Sequence, residues 1–155
     1  MEKTGLPGGL RFRRAVEADQ PRIVKMVRGA HINPIGLKWP RFLVVEGSSG
    51  EIVGLGQIKP HRDGSRELAS LVVAEARRGQ GLGRALVHEL KREAGPPLWL
   101  MCRSTLVPFY AQAGFADVLP SEELPPTFRR MREFVHLLDW LRGTDEYLAF
   151  MVWRG

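Results

Sequence analysis

One stretch limits what this chain can fold into more than any other: Glu67 to Ala94, which reads as a strand, a glycine-rich bend and a helix. Leu68, Leu71, Val72 and Val73 form an apolar, β-branched run too short for a helix. The bend Arg77-Arg78-Gly79-Gln80-Gly81-Leu82-Gly83-Arg84 follows, with three glycines able to take conformations closed to other residues and to bring backbone N–H groups close to a ligand. Beyond it Leu82, Ala85, Leu86, Leu90 and Ala94 recur at helical spacing, leaving Arg84, His88, Glu89, Lys91 and Arg92 for solvent. The amides of a helix N-terminus, aligned with its dipole and flanked by three arginines, make a site for a dianion such as a pyrophosphate. A Walker loop is excluded because no Gly-Lys-Ser/Thr ends the bend. The dinucleotide fingerprint fails because Arg84 stands where Gly or Ala is needed.

The 155 residues, 44% hydrophobic and 26% charged, suit one domain with a continuous core. No apolar run is long enough to span a bilayer, and the start Met1-Glu2-Lys3-Thr4-Gly5 lacks the apolar core of a signal peptide, so a cytoplasmic protein is expected. The lone Cys102 excludes an internal disulfide, and four scattered histidines show no ligand spacing, so no metal is expected. A formal charge of +6 suits nucleic acid, an anionic surface or a polyanionic cofactor. Without a like-charge run, a helix-turn-helix cue or a basic-aromatic strand, nucleic acid is the minority reading.

Residues 1–9 read as a flexible tail and 10–155 as the domain. Leu10–Val16 is expected as an edge strand and Glu17–Ala30 as a helix with Pro21 in its first turn. The segment His31–Pro40, broken by Pro34 and Pro40, reads as a loop and a candidate substrate loop. Phe42–Glu46 and Glu51–Ile58 form a hairpin around Gly47-Ser48-Ser49-Gly50. The turn His61–Ser65 leads into the Glu67 strand, completing an antiparallel meander. Leu98–Cys102 is a strand parallel to it across the helix. Ser104 or Thr105 is expected to cap a short helix that Gly114 ends before a strand at Phe115. Pro125–Gly143, with an insertion expected over about 126–142, carries Phe128, Met131, Phe134, Val135, Leu138 and Leu141 as the apolar face of an amphipathic helix; Tyr147–Trp153 is the last strand. That face is expected to pack within the chain, with a dimer contact as the alternative, so the protein is expected as a monomer or homodimer.

Arg78-x-x-Gly81-x-Gly83 after a strand resembles the cofactor loop of the GNAT superfamily of N-acetyltransferases, Gln/Arg-x-x-Gly-x-Gly/Ala. Phe109-Tyr110-x-x-x-Gly114-Phe115, after the next strand, resembles that family's second motif. The resemblance covers about residues 10 to 119. It implies an α/β (α+β) fold with a mixed sheet: an antiparallel meander, then a parallel pair splayed at the cofactor site, here with an extra helix before the last strand. It also implies transfer of an acetyl group from acetyl-CoA to a primary amine on a small molecule, peptide or protein. Arg78, Gly79, Gln80, Gly81, Gly83 and Arg84 would bind the phosphates, and the amides near Leu71, Val72 and Val73 the pantetheine arm and thioester. Tyr110 would protonate the departing thiolate. Glu67, eleven positions before Arg78, would be the general base, against the alternative of a solvated carboxylate paired with Arg66 or Arg62. Arg103 stands where the family often has Asn. His31 and His61 are expected as solvent-facing loop residues and Cys102 as buried filler. A catalytically silent coenzyme A sensor is the alternative to the enzyme, since a sensor needs only the loop.

Overall fold

The architecture is that of a computed structural model describing residues 5–119, 123–143 and 145–155. Seven strands run in the spatial order β1-β2-β3-β4-β5-β7-β6: β1 Arg11–Arg14, β2 Phe42–Glu46, β3 Ile52–Pro60, β4 Arg66–Val73, β5 Leu98–Arg103, β6 Ala116–Asp117 and β7 Leu148–Trp153. Four α-helices join them: α1 Gln20–Gly29, α2 Leu82–Ala94, α3 Val107–Gln112 and α4 Pro126–Arg142. β1 is an edge strand, antiparallel to β2, which is antiparallel to β3. The expected parallel pairing of β4 with β5 is present at one aligned pair, Glu67 with Trp99.

Contacts divide the chain into two compact units, Met1–Lys59 with Leu68–Glu93, and Pro60–Glu67 with Ala94–Gly155. In the first, α1 buries Ile23, Met26 and Val27 with Phe42, Val44, Leu55 and Val72. Helix α2 buries Leu82, Ala85, Leu86, Val87 and Leu90. Leu86 and Leu90 are fully buried, each side chain gaining about 2 kcal/mol on leaving water. In the second, β5 pairs along its whole length with β7, and Trp99, Leu124, Phe128, Phe150 and Val152 form the core.

Strand β4 carries a bulge. His61 N–H bonds Ser65 O at 2.9 Å, and counting outward from that turn Val53 should pair with Val73; instead Ala74 N–H bonds Val53 O at 2.8 Å. β4 therefore holds one residue more than β3, and Ser70, at φ +56°, is where the extra residue is accommodated. Gln57 Nε2 donates to Ser70 Oγ at 2.9 Å, both groups buried, while Gln57 Oε1 has no partner among the described residues.

Two expectations need correction. Neither Ser104 nor Thr105 caps α3: its first turn follows a short 3-10 turn, with Leu106 as N-cap and no side-chain cap. Ser104 Oγ instead accepts from Tyr147 N–H at 3.4 Å. On α4, Phe128 is fully buried and Met131, Val135 and Leu138 half-buried, but Phe134 is 62% exposed. At about 100° per residue Phe134 lies roughly 80° round from the centre of that stripe, on its flank. Leu141 lies outside the described side chains.

Candidate active site

The first unit contains the glycine loop. Gly79 and Gly81 adopt φ +78° and +83°, and a Cβ placed on either would meet no protein atom within 4 Å. The backbone is thus open to a ligand at both positions, at torsions that other L-residues avoid. Gly83 is helical, the second residue of α2. A bond from Ala85 N–H to Gly81 O at 3.0 Å lies at the helix start, where the first amides, those of Leu82 and Gly83, precede the helix's own carbonyls. Arg78 is exposed, its Nε 3.4 Å from Val73 O, and Arg77 reaches only 3.9 Å from Glu51. The chain's excess charge lies in this unit: 15 basic against 8 acidic residues, net +7, while the second has 8 against 9, net −1. A dianion at the loop therefore meets an open cradle in a positive field. Leu71 and Val73 are half-buried and Val72 packs in the core, so these side chains fill the sheet faces and only their backbone is left to serve a ligand.

Glu67 and Tyr110 both fall in the second unit. Glu67 is only 5% exposed, and its Oε1 lies 2.8 Å from His61 Nε2. Among the described residues it has no arginine partner: Arg66 turns away to donate to the carbonyls of Ala94 and Gly95, at the C-terminal end of α2, where a cation complements the helix dipole. His61 is not the solvent-facing residue that its position in a turn suggests. Its side chain is 16% exposed and lies edge-on to Phe128, ring centroids 5.4 Å apart, while Phe128 also contacts Trp99 at 5.9 Å. The N-terminus of α4 is tied to the same turn, because Asp63 Oδ2 accepts from Thr127 N–H at 2.9 Å. The sequence did carry a usable signal for the histidine: the Asp63-Gly64 turn folds the chain back so that His61 and the start of β4 become cross-strand neighbours.

A buried carboxylate held by an imidazole N–H through one oxygen has its other oxygen available to take a proton. Tyr110 is buried on α3, its ring 4.9 Å from Phe109 and 6.0 Å from Phe115. Its carbonyl accepts from Ala113 and Phe115 N–H, which closes the helix where Gly114 takes φ +91°. Burial, and secondarily the neighbouring Cys102, push the phenol well above its usual range. That is opposite to the shift needed to hand a proton to a thiolate, so the phenol suits a hydrogen-bond donor better than a full acid. Cys102 is buried beside Met151, its thiol pushed up to about 11 by burial and then by Asp117. It lacks the electropositive, open setting of a reactive cysteine. Among the described residues no cluster of three metal-binding side chains occurs, and no helix is long and apolar enough to cross a membrane. A recess of about 300 Å³ lined by Gly9, Arg11, Glu46, Gly47, Ser48 and Gly50 lies at the β2–β3 hairpin, away from the glycine loop in sequence.

Comparison with known proteins places this arrangement. Among curated proteins, the mycothiol acetyltransferase of Rhodococcus jostii (strain RHA1) is 33% identical over 81 residues, 52% of this chain and 27% of that protein, so the chain matches only about a quarter of that relative's length. Among solved structures, N-acetylglutamate synthase from Neisseria gonorrhoeae, complexed with coenzyme A and N-acetyl-glutamate, superposes with a TM-score of 0.73 at 20% identity, over 96% of this chain and 36% of that one. Rv2747 from Mycobacterium tuberculosis, in complex with CoA, gives 0.71 at 23% identity over 94% and 99% of the two chains. At these identities the structures establish the fold. The acetyltransferase (GNAT) domain family matches residues 38–117, a span that takes in the meander, the bulged strand, the glycine loop and the Tyr110 motif, and the chain belongs to that family.

Proposed function

We propose that this chain is an N-acetyltransferase that moves an acetyl group from acetyl-CoA to a primary amine directly, both substrates being bound at once. The observation that carries the reading is Glu67: a buried carboxylate, held by His61, at the head of the strand that runs into the glycine loop. Acetyl-CoA supplies an activated thioester. The chain's own groups do the rest. The backbone of residues 79 to 84, open at Gly79 and Gly81, holds the phosphates together with Arg77, Arg78 and Arg84. The backbone of Leu71, Val72 and Val73, which lies beyond the single aligned pair of β4 with β5, serves the pantetheine arm and thioester carbonyl. Glu67, oriented through Oε1 by His61, takes a proton from the incoming ammonium at Oε2, directly or through a water. The freed amine forms the N–C bond as the C–S bond breaks, and the departing sulfur accepts a hydrogen bond from the Tyr110 hydroxyl and its proton from the surrounding solvent.

The relatives support this reading: the Neisseria structure contains coenzyme A beside an N-acetylated amino acid, and the Rhodococcus protein is named for acetyl transfer. A silent coenzyme A sensor would have no use for a buried carboxylate–imidazole pair. The test is a panel of amines, peptides and amino acids scored by thiol release from acetyl-CoA. Release that depends on one acceptor class supports the enzyme; tight acetyl-CoA binding with no release from any acceptor supports the sensor.

A further inference from the structure

The loop between α1 and β2 is built, and it presents two cations with no acid to balance them. Gln20 on α1 donates from Nε2 to Leu37 O at 2.6 Å and accepts Trp39 N–H on Oε1 at 2.8 Å. Asn33 Oδ1 accepts Ile35 N–H at 3.0 Å, and Lys59 Nζ donates to Ile35 O at 2.9 Å. Four side-chain bonds thus fix the loop on either side of Gly36, which takes φ +75°. A Cβ on Gly36 would lie 3.0 Å from Lys59 Cε, 3.3 Å from its Nζ and 3.8 Å from Arg41 Nη1, so the bare glycine is what lets both cations converge over the loop. Lys59 and Arg41 are half-buried, and neither has a carboxylate partner among the described residues. Lys59 spends one N–H on Ile35 and keeps two, and the guanidinium of Arg41 presents a planar fork suited to a carboxylate. Half-burying two like charges side by side is unfavourable unless an anion joins them.

We propose that Lys59 and Arg41 over Gly36 form a subsite for a carboxylate, so that the amine accepting the acetyl group also carries a carboxylate, as an amino acid does. This rests on the acetyl-transfer reading, in which the loop between α1 and β2 is the acceptor's loop. Gly36 is then a requirement of the subsite as well as of the turn.

The experiment pairs L-amino acids with their carboxamides, which keep the amine and remove the charge. Binding is read without turnover by ¹H–¹⁵N NMR at the Gly36 amide and the Arg41 Nε–H, and transfer by thiol release. The expected result is that acids shift both signals and carboxamides do not, and that kcat/KM for acids exceeds that for carboxamides by about tenfold or more, the range of a charge-assisted hydrogen bond. Lys59→Met and Arg41→Gln should each abolish most of that preference while leaving acetyl-CoA affinity unchanged. Signal shifts with acids but no transfer by any amine would uphold the subsite and overturn the acetyl-transfer reading. Equal shifts or equal turnover for acids and carboxamides, or a preference that survives both substitutions, would overturn the subsite.

Discussion

Replacing Glu67 by Gln separates the proposed base from the scaffold that holds it. Gln keeps the size of the side chain and an oxygen that can accept from His61 Nε2, now 2.8 Å from the carboxylate. What is lost in the folded state is the difference between a charge-assisted and a neutral hydrogen bond, about 1 kcal/mol. For a chain of 155 residues that lowers the melting midpoint by roughly 3 °C, well within the margin of an ordinary domain. Catalysis should suffer far more. Loss of a general base costs about 10²-fold or more, equivalent to about 2.7 kcal/mol of barrier. The two effects differ in their pH dependence. The amine loses its proton unaided as pH rises, so Glu67→Gln should recover part of its turnover at alkaline pH, whereas a merely loosened site should not. The assay is thiol release with the acceptor found in the panel, at saturating acetyl-CoA, from neutral to alkaline pH, beside calorimetric affinity for acetyl-CoA. Turnover equal to wild type throughout would remove Glu67 from the chemistry. A loss of turnover matched by a loss of cofactor affinity would assign the residue a structural role.

Gly81→Val places a β-branched side chain at φ +83°, a torsion that strains it, with no other protein atom within 4 Å of its Cβ; acetyl-CoA affinity by calorimetry should fall at least about tenfold, and an unchanged value in the folded variant would take the loop out of phosphate binding. Cys102→Ala should keep turnover within about threefold, and since the thiol titrates near 11, about one part in 10³ is thiolate at pH 8, so native protein should resist alkylation until unfolded; rapid native labelling, or loss of turnover in Cys102→Ala, would contradict that. Asp63 is held well below its ordinary value of 3.8, first by Ser65 Oγ and then by Thr127 N–H, so its contribution to stability is present above that value and fades as pH falls below it. The melting gap between wild type and Asp63→Ala should therefore be largest near neutrality and narrow towards pH 2; a constant gap would show that the carboxylate's charge is not what ties α4 to the turn.

The sequence made the local units legible and left the long-range ones hidden. Strand, glycine bend and helix from Glu67 to Ala94 could be read because apolar period and glycine placement are local signals, and the parallel β4–β5 pair followed from the crossover rule. The environment of His61 could not be read the same way, because Phe128, which covers it, is 67 residues further along the chain and on an inserted helix. Phe134 was assigned to the buried face on helical period alone, which fixes a direction round the axis but not the width of the groove that receives it. The convergence of Lys59 and Arg41 over Gly36 depends on a loop conformation set by Gln20, and no pattern in the loop announces it.

The extra residue at Ser70 means that the position of the carboxylate is decided by counting. Side chains on a strand alternate between faces, so removing one residue between Glu67 and the glycine loop would turn every position before the deletion to the other side. Arg66 would then stand where Glu67 stands, and the carboxylate, moved to the place of Leu68, would face the opposite layer. Ser70 itself can change more freely: glycine or asparagine tolerates φ +56° and would keep the count. Descendants of this chain can therefore drift at that position in residue type but not in length, and a one-residue deletion there would yield a protein that folds around an intact glycine loop with arginine in place of Glu67.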